Sequence, residues 1–143
     1  MEHVRPAGPI RVPGFSFTAE AASALSRKKH RHVELVGPWG SAKALAAVQI
    51  AQALQVPLLI AAAGRIEAEG IHEDLATFTG EDRALLLPAW ETLPTDAMDP
   101  ADDIVAERLD TLRRLAAAVD AGEPVYAVAP VRALLQRVAA RKA

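Results

Sequence analysis

The sequence predicts a layered α/β/α fold built on a mostly parallel sheet of about four strands. Four short apolar runs lack the polar and apolar alternation of a half-exposed strand, which is typical of parallel strands covered on both faces. A helical pattern follows each run, so successive strands are joined by right-handed crossovers. With 143 residues, 51% of them hydrophobic, the chain is long enough for one domain with its own core.

The amino-terminal residues 1–17 contain three prolines and two glycines without any period, which predicts an extended arm. Residues 18–143 are predicted to form the single domain. Its first helix is expected to begin with Thr18 as the N-cap and to end in the basic run of residues 27–31. That run is either a phosphate-contacting patch or a solvated helix end, and the second interpretation is the simpler one.

The most informative stretch begins with a predicted strand at His32–Val36, followed by a glycine-bearing loop and an alanine-rich helix that reaches Leu54. This layout is that of a phosphate-binding loop, G-x-x-x-x-G-K-[ST], in which backbone N–H groups surround a phosphate. Gly37 and Lys43 match the motif. Ala42 replaces the second glycine and Ala44 replaces the hydroxyl residue that binds Mg²⁺.

The sequence therefore predicts a vestigial phosphate loop formed by Gly37, Gly40, Ser41 and Lys43. It is expected to bind phosphate or nucleotide weakly at most. No cofactor is required, no residue is assigned a catalytic role, and no metal site is predicted. The pair His30 and His32 lacks a third ligand.

Three further strands are predicted at Pro57–Ala63, Ala84–Leu87 and Pro124–Ala129. The helices between and after them are expected to bury one apolar face each. These faces are Ala68, Ile71, Leu75 and Phe78; Val105, Leu109, Leu112, Ala116 and Val119; and Val131, Leu134, Leu135 and Val138. Gly80 and Gly122 are predicted to end the first two of these helices.

A proline-rich segment, PAWETLPTDAMDPADD, follows the third strand. We expect Trp90 and Leu93 to lie on a turn that packs over the strand ends, with Glu91 solvated, and we assign these three residues to a candidate docking site. Asp99 is the predicted N-cap of the next helix. Because ligands bind at the carboxyl ends of parallel strands, this segment and the phosphate loop are predicted neighbours.

Composition excludes several classes of function. Between Val33 and Tyr126 there are 16 acidic and six basic residues, so direct DNA contact by this body is not expected. The chain has no cysteine, and its apolar runs are far shorter than the roughly 20 residues that span a bilayer. We expect a cytoplasmic protein without a membrane partner.

Three stretches together resemble one family. They are GPWGSAKAL, LLLPAWETLPTD with DIVAERLDTLRRL, and VYAVAPVRALLQRV, and they are similar to the amino-terminal, UvrB-like module of bacterial transcription-repair coupling factors. The resemblance covers about Leu35 to Val138.

This resemblance implies a RecA-like half-domain, similar to the first domain of UvrB, that has lost ATPase function. It implies a scaffold and interaction module whose partners are the other domains of the full-length factor, together with UvrA and RNA polymerase through that protein. The full-length factor would be an ATP-dependent DNA translocase. No motor segment, UvrA-contacting insertion or acidic Walker B residue is found here, so a fragment or truncated relative is expected.

Three interpretations stay open. The chain is either such a non-catalytic module or a functional P-loop ATP-binding domain of a helicase or translocase, in which Lys43 and the backbone suffice. A free-standing α/β protein that shares only the architecture is a third interpretation.

Overall fold

The computed structural model describes residues 16–27, 32–90 and 101–138. Its elements, in chain order, are α1 (Ser16–Ser26), α2 (Ala42–Leu54), β1 (Leu58–Ala62), α3 (Arg65–Thr79), β2 (Ala84–Leu86), α4 (Asp102–Ala121), β3 (Tyr126–Pro130) and α5 (Val131–Leu135). Most of the predicted arm lies outside the described residues, although Ser16 and Phe17 already belong to α1. Thr18 is buried within that helix and is not its N-cap, which corrects the prediction.

The three strands form one parallel sheet in the order β1-β3-β2. One face packs against α3 and α2 through a core in which Val48, Leu75 and Val128 are fully buried. The opposite face packs against α4 and α5, since Leu85 and Ala127 meet Leu115 and Ala118 of α4, and Ala129 meets Ala133 of α5. The layered α/β/α class and the parallel sheet are thereby confirmed.

The predicted strand at His32–Val36 is wrong. These residues pair with no strand in the described part of the chain, and Val36 is 87% exposed. The run has only three apolar residues around Glu34, so its burial would offset little of the entropy lost on ordering. As a result β1 is an edge strand of the sheet. Leu59 is exposed, so the face of β1 that points away from α2 and α3 is not covered as predicted.

The helix ends agree well with the glycine positions. Gly80 follows α3 with a φ of 93° and Gly122 follows α4 with a φ of 67°, both in the region that favours glycine. The buried face of α3 is confirmed, because Ala68, Ile71 and Leu75 are buried and Phe78 packs against them.

Two predicted helix faces are largely wrong, although Leu112 of the predicted α4 face does pack against buried residues. In α4 the buried side chains are Arg108 and Thr111, while Leu109 and Val119 are exposed. The last helix ends at Leu135, and only Ala133 of it is buried. Its four predicted core residues, Val131, Leu134, Leu135 and Val138, are all exposed. No described helix is long and apolar enough to cross a membrane.

Candidate functional site

The loop before α2 needs glycine for its backbone conformation. Gly37 has a φ of 110° and Gly40 a φ of 57°, values that side-chain-bearing residues rarely adopt. A Cβ added at either position would meet nothing within 4 Å, so conformation and not crowding selects glycine. The loop is open to solvent, and Trp39 at its tip is 86% exposed.

Backbone N–H groups of this loop already donate to the loop itself. The N–H of Ala42 donates to Trp39 O at 3.2 Å, and that of Lys43 donates to Gly40 O at 3.3 Å. Leu45 likewise donates to Ser41 O at 3.0 Å. A phosphate loop instead directs N–H groups at the anion. An incoming phosphate would therefore have to displace weak turn bonds at Ala42 and Lys43.

Lys43 has an internal anionic partner. Its Nζ lies 3.0 Å from Glu67 Oε1, and Glu67 Oε2 accepts the backbone N–H of Ala63 at 3.0 Å. The hydrogen bond from Ala63, followed by the hydrogen bond and then the charge of Lys43, lowers the pKa of Glu67 below its ordinary value. Glu67 therefore holds Lys43 with a charged carboxylate from the first turn of α3.

Position 44 cannot serve a metal in this conformation. Ala44 is 1% exposed and belongs to the core between α2, α3 and the sheet. A hydroxyl at this position would face apolar side chains and not a ligand. Among the described residues, no group of three His, Asp or Glu side chains is close enough to hold a metal ion.

The sheet's carboxyl edge offers little room for a nucleotide. A cavity of about 130 Å³ lies there between α3 and α4, lined among others by Arg65, Glu69 and Glu107. Ligand pockets usually measure about 300–1,000 Å³. Arg65 is also paired with Glu69 at 2.7 Å. Among the described residues, this edge is a small cleft beside the Arg65–Glu69 ion pair.

Trp90, the described member of the predicted docking site, is fixed by the domain's own side chains. Its backbone N–H donates to Gln136 Oε1 at 2.8 Å, and Gln136 Nε2 donates to Trp90 O at 3.2 Å. The guanidinium of Arg108 lies 5.3 Å from the centre of the indole ring. Trp90 Nε1 is buried without a partner in the described part of the chain. Glu91 and Leu93 lie outside the described residues.

Arg108 was missed by the sequence analysis, although it is the most buried charged residue described. It is 2% exposed and donates to Pro88 O at 2.7 Å and to Ala133 O at 3.0 Å. Burial lowers the pKa of Arg108, but an arginine keeps its proton. Thr111, one turn later, donates to Leu86 O at 3.0 Å. These two side chains tie α4 to α5 and to the carbonyls of Leu86, the last residue of β2, and Pro88.

The two predicted sites do not merge into one. Lys43 reaches α3 just after β1, whereas Trp90 follows β2, and β3 lies between these strands. The phosphate loop and the Trp90 segment therefore stand on opposite sides of the end of β3.

The fold and the loop define a layered α/β domain with a glycine loop ahead of its second helix. Comparison with known proteins then relates the chain to one family of much larger proteins. It is 43% identical over 105 residues to the transcription-repair-coupling factor of Mycobacterium tuberculosis, which covers 71% of this chain and 8% of that protein. It is 32% identical over 99 residues to the same factor of Escherichia coli, covering 69% of the chain and again 8% of the relative.

These matches confirm the resemblance to transcription-repair coupling factors for about seven-tenths of the chain. The chain spans only 8% of the length of these curated relatives. No family model and no solved structure matches it.

Proposed function

We propose that this chain is a non-catalytic, UvrB-like scaffold and interaction module of a transcription-repair coupling factor, acting in transcription-coupled nucleotide-excision repair. The observation that carries the proposal is the 43% identity over 105 residues to the factor of M. tuberculosis. An identity of this size over most of the chain supports a shared role of the matched segment.

The geometry of the loop supports a non-catalytic role. Phosphoryl transfer depends on Mg²⁺ anchored by the protein and on a lysine free to meet the phosphates. Here Ala44 is a core residue, and Lys43 is paired with Glu67. Gly37, Gly40, Ser41 and Lys43 form a weak anion-binding loop at most, and the module requires no cofactor.

The proposed partners are the other domains of the full-length factor, with UvrA and RNA polymerase engaged through that protein. The body of the module makes no direct contact with DNA, since its central charge is strongly acidic. We place the module in the cytoplasm.

Nucleotide binding tests this function. Trp39 reports occupancy of the loop by its fluorescence, and a Trp39→Phe variant gives the background from Trp90, the second of the two tryptophans. We expect ATP with Mg²⁺ to bind with a Kd near 1 mM, about −4 kcal/mol, and no tighter than pyrophosphate. Lys43→Ala should abolish the response.

A restored motif provides the matched control. Ala42→Gly combined with Ala44→Ser recreates the consensus, yet we expect no ATP hydrolysis because the new hydroxyl would face the core and Glu67 would still hold Lys43. Magnesium-dependent binding at micromolar ATP, about −8 kcal/mol, together with turnover by the unaltered chain would establish the competing function of an ATP-binding domain.

A further inference from the structure

Two side chains join the chain segments that leave β2 and β3. Arg108 donates from one guanidinium to Pro88 O at 2.7 Å and to Ala133 O at 3.0 Å. Gln136 accepts the backbone N–H of Trp90 at 2.8 Å and donates to the carbonyl of the same residue at 3.2 Å. We call these four hydrogen bonds the clasp. The clasp links the segment after β2 to α5 and to the residue that follows this helix.

Apolar burial contributes little to the attachment of α5. Of the five residues of this helix only Ala133 is buried, and it packs in a small cluster with Leu87 and Ala129. The larger apolar side chains of α5 and of its carboxyl-terminal flank are all exposed, namely Val131, Leu134, Leu135 and Val138. The free energy of burial scales with the apolar area removed from water. Packing alone therefore attaches α5 weakly, and the clasp is its main polar attachment.

The buried guanidinium of Arg108 favours opening of the clasp. The side chain is almost fully buried, and none of the ion pairs among the described residues includes it. Removal of a charge from water is costly, and carbonyl partners offset this cost less fully than a carboxylate would. Water that entered an open clasp would hydrate the guanidinium and bond to the released carbonyls. Opening therefore leaves no polar group of the clasp buried without a partner.

We propose that the clasp is a conformational switch, in which residues 88–90 and α5 open as one unit while the sheet stays folded. The coupling follows from the geometry, since Arg108 reaches both segments at once and Gln136 holds both backbone polar groups of Trp90. The inference deepens the proposed function and rests on it for the role of the switch. Trp90 is the first residue of the candidate docking site, so a closed clasp fixes the position of that site and an open clasp releases it.

Hydrogen exchange of the folded 143-residue chain, followed by NMR over a range of low urea concentrations, tests the switch. The amides to compare are those of Trp90, of Leu135 in α5 and of Tyr126 in β3, which donates to Arg83 O at 2.9 Å. We expect Trp90 and Leu135 to share one opening free energy and one urea slope, because they open together. The amide of Tyr126 should exchange at least about tenfold more slowly and with a steeper slope, because only global unfolding releases it.

Gln136→Met keeps the length of the side chain and removes both of its hydrogen bonds to Trp90. We expect exchange of the Leu135 amide to become about tenfold faster, because α5 loses two of the bonds that hold it. Arg137→Met is the matched control, since Arg137 is the next residue and is exposed. It should change the exchange rate of Leu135 by less than about twofold. Continued protection of the Tyr126 amide shows that each variant is folded.

Urea-independent exchange of Trp90, or a slope different from that of Leu135, would overturn the switch, since Gln136 would then rotate away without α5. Exchange of both amides only by global unfolding, as for Tyr126, would make the clasp a permanent part of the fold and would also overturn it. So would an unchanged Leu135 rate in Gln136→Met, because the clasp would not hold α5. None of these measurements involves nucleotide, so failure of this proposal is distinguishable from failure of the non-catalytic function.

Discussion

The Gly37–Lys43 loop and the Trp90 cluster, formed by Trp90, Arg108 and Gln136, differ in how firmly the fold holds them. The loop carries the recognisable motif, yet its main side-chain restraint is an exposed ion pair between Lys43 and Glu67. The Trp90 cluster matches no catalytic motif, yet it combines a buried guanidinium, two hydrogen bonds to one residue's backbone and a cation–π contact. A short motif shows only residue types at a given spacing, whereas burial and hydrogen bonds show which side chains the fold depends on.

The strongest expected effect separates the two regions by stability. Arg108→Met keeps an apolar side chain of similar length but leaves the carbonyls of Pro88 and Ala133 without their donor. We expect the free energy of unfolding to fall by about 3 kcal/mol, because buried carbonyls lose charge-assisted hydrogen bonds. Urea denaturation measures the change.

Arg113→Met is the control, since Arg113 is exposed and lies in the same helix. It should change stability by less than about 0.5 kcal/mol. Equal effects of the two substitutions would remove the distinction between the cluster and the surface.

Trp90→Ala should destabilise the domain by about 2 kcal/mol, through lost apolar burial and the lost cation–π contact with Arg108. Trp90→Phe should cost much less, because it keeps a ring and removes an Nε1–H group that is buried without an acceptor among the described residues. A cycle that combines Trp90→Ala with Arg108→Met should show that the two changes are not additive. Strict additivity would mean that the ring and the guanidinium act independently.

The sequence predicted the class of fold, the face of α3 and the glycines that end α3 and α4, because each depends on local pattern or backbone conformation. It failed for α4, where hydropathy assigns Arg108 and Thr111 to solvent. The structure buries both because the carbonyls of Leu86, Pro88 and Ala133 need hydrogen-bond donors. Such needs arise between elements distant in sequence. One signal in the sequence could have shown their burial. Ile104, Leu115 and Ala118 lie at helical spacing on one face of α4, and Arg108 and Thr111 lie on that same face.

The side-chain partners of the loop could not be predicted from the sequence for the same physical reason. The motif positions of Gly37 and Lys43 are legible in sequence, but the partner of Lys43 lies in the next helix at Glu67. Whether residue 44 faces a ligand or the core depends on how α2 packs, which only the three-dimensional arrangement shows.

Glu67→Gln should release Lys43 from its ion pair and so leave the lysine available to an anion. We expect the affinity of the loop for pyrophosphate to rise several-fold, about 1 kcal/mol, since the anion no longer competes with a carboxylate for the lysine. Isothermal titration measures it, and Glu69→Gln is the control because Glu69 pairs with Arg65 instead. An unchanged affinity would show that the turn bonds of Ala42 and Lys43, and not Glu67, limit anion binding.

The smallest expected effect concerns the exposed ion pair itself. Lys43→Met should change the free energy of unfolding at neutral pH by less than about 0.5 kcal/mol, since exposed pairs contribute little. The pKa of Glu67 should rise in this variant but stay below its ordinary value of 4.5, because the N–H of Ala63, the larger cause of the lowering, remains. A lowered carboxyl pKa adds stability above the unfolded-state value and loses it as pH falls through the folded-state value. Carboxyl NMR titration of Glu67 in both proteins measures the shift, and a full return to 4.5 would assign the lowering to Lys43 alone.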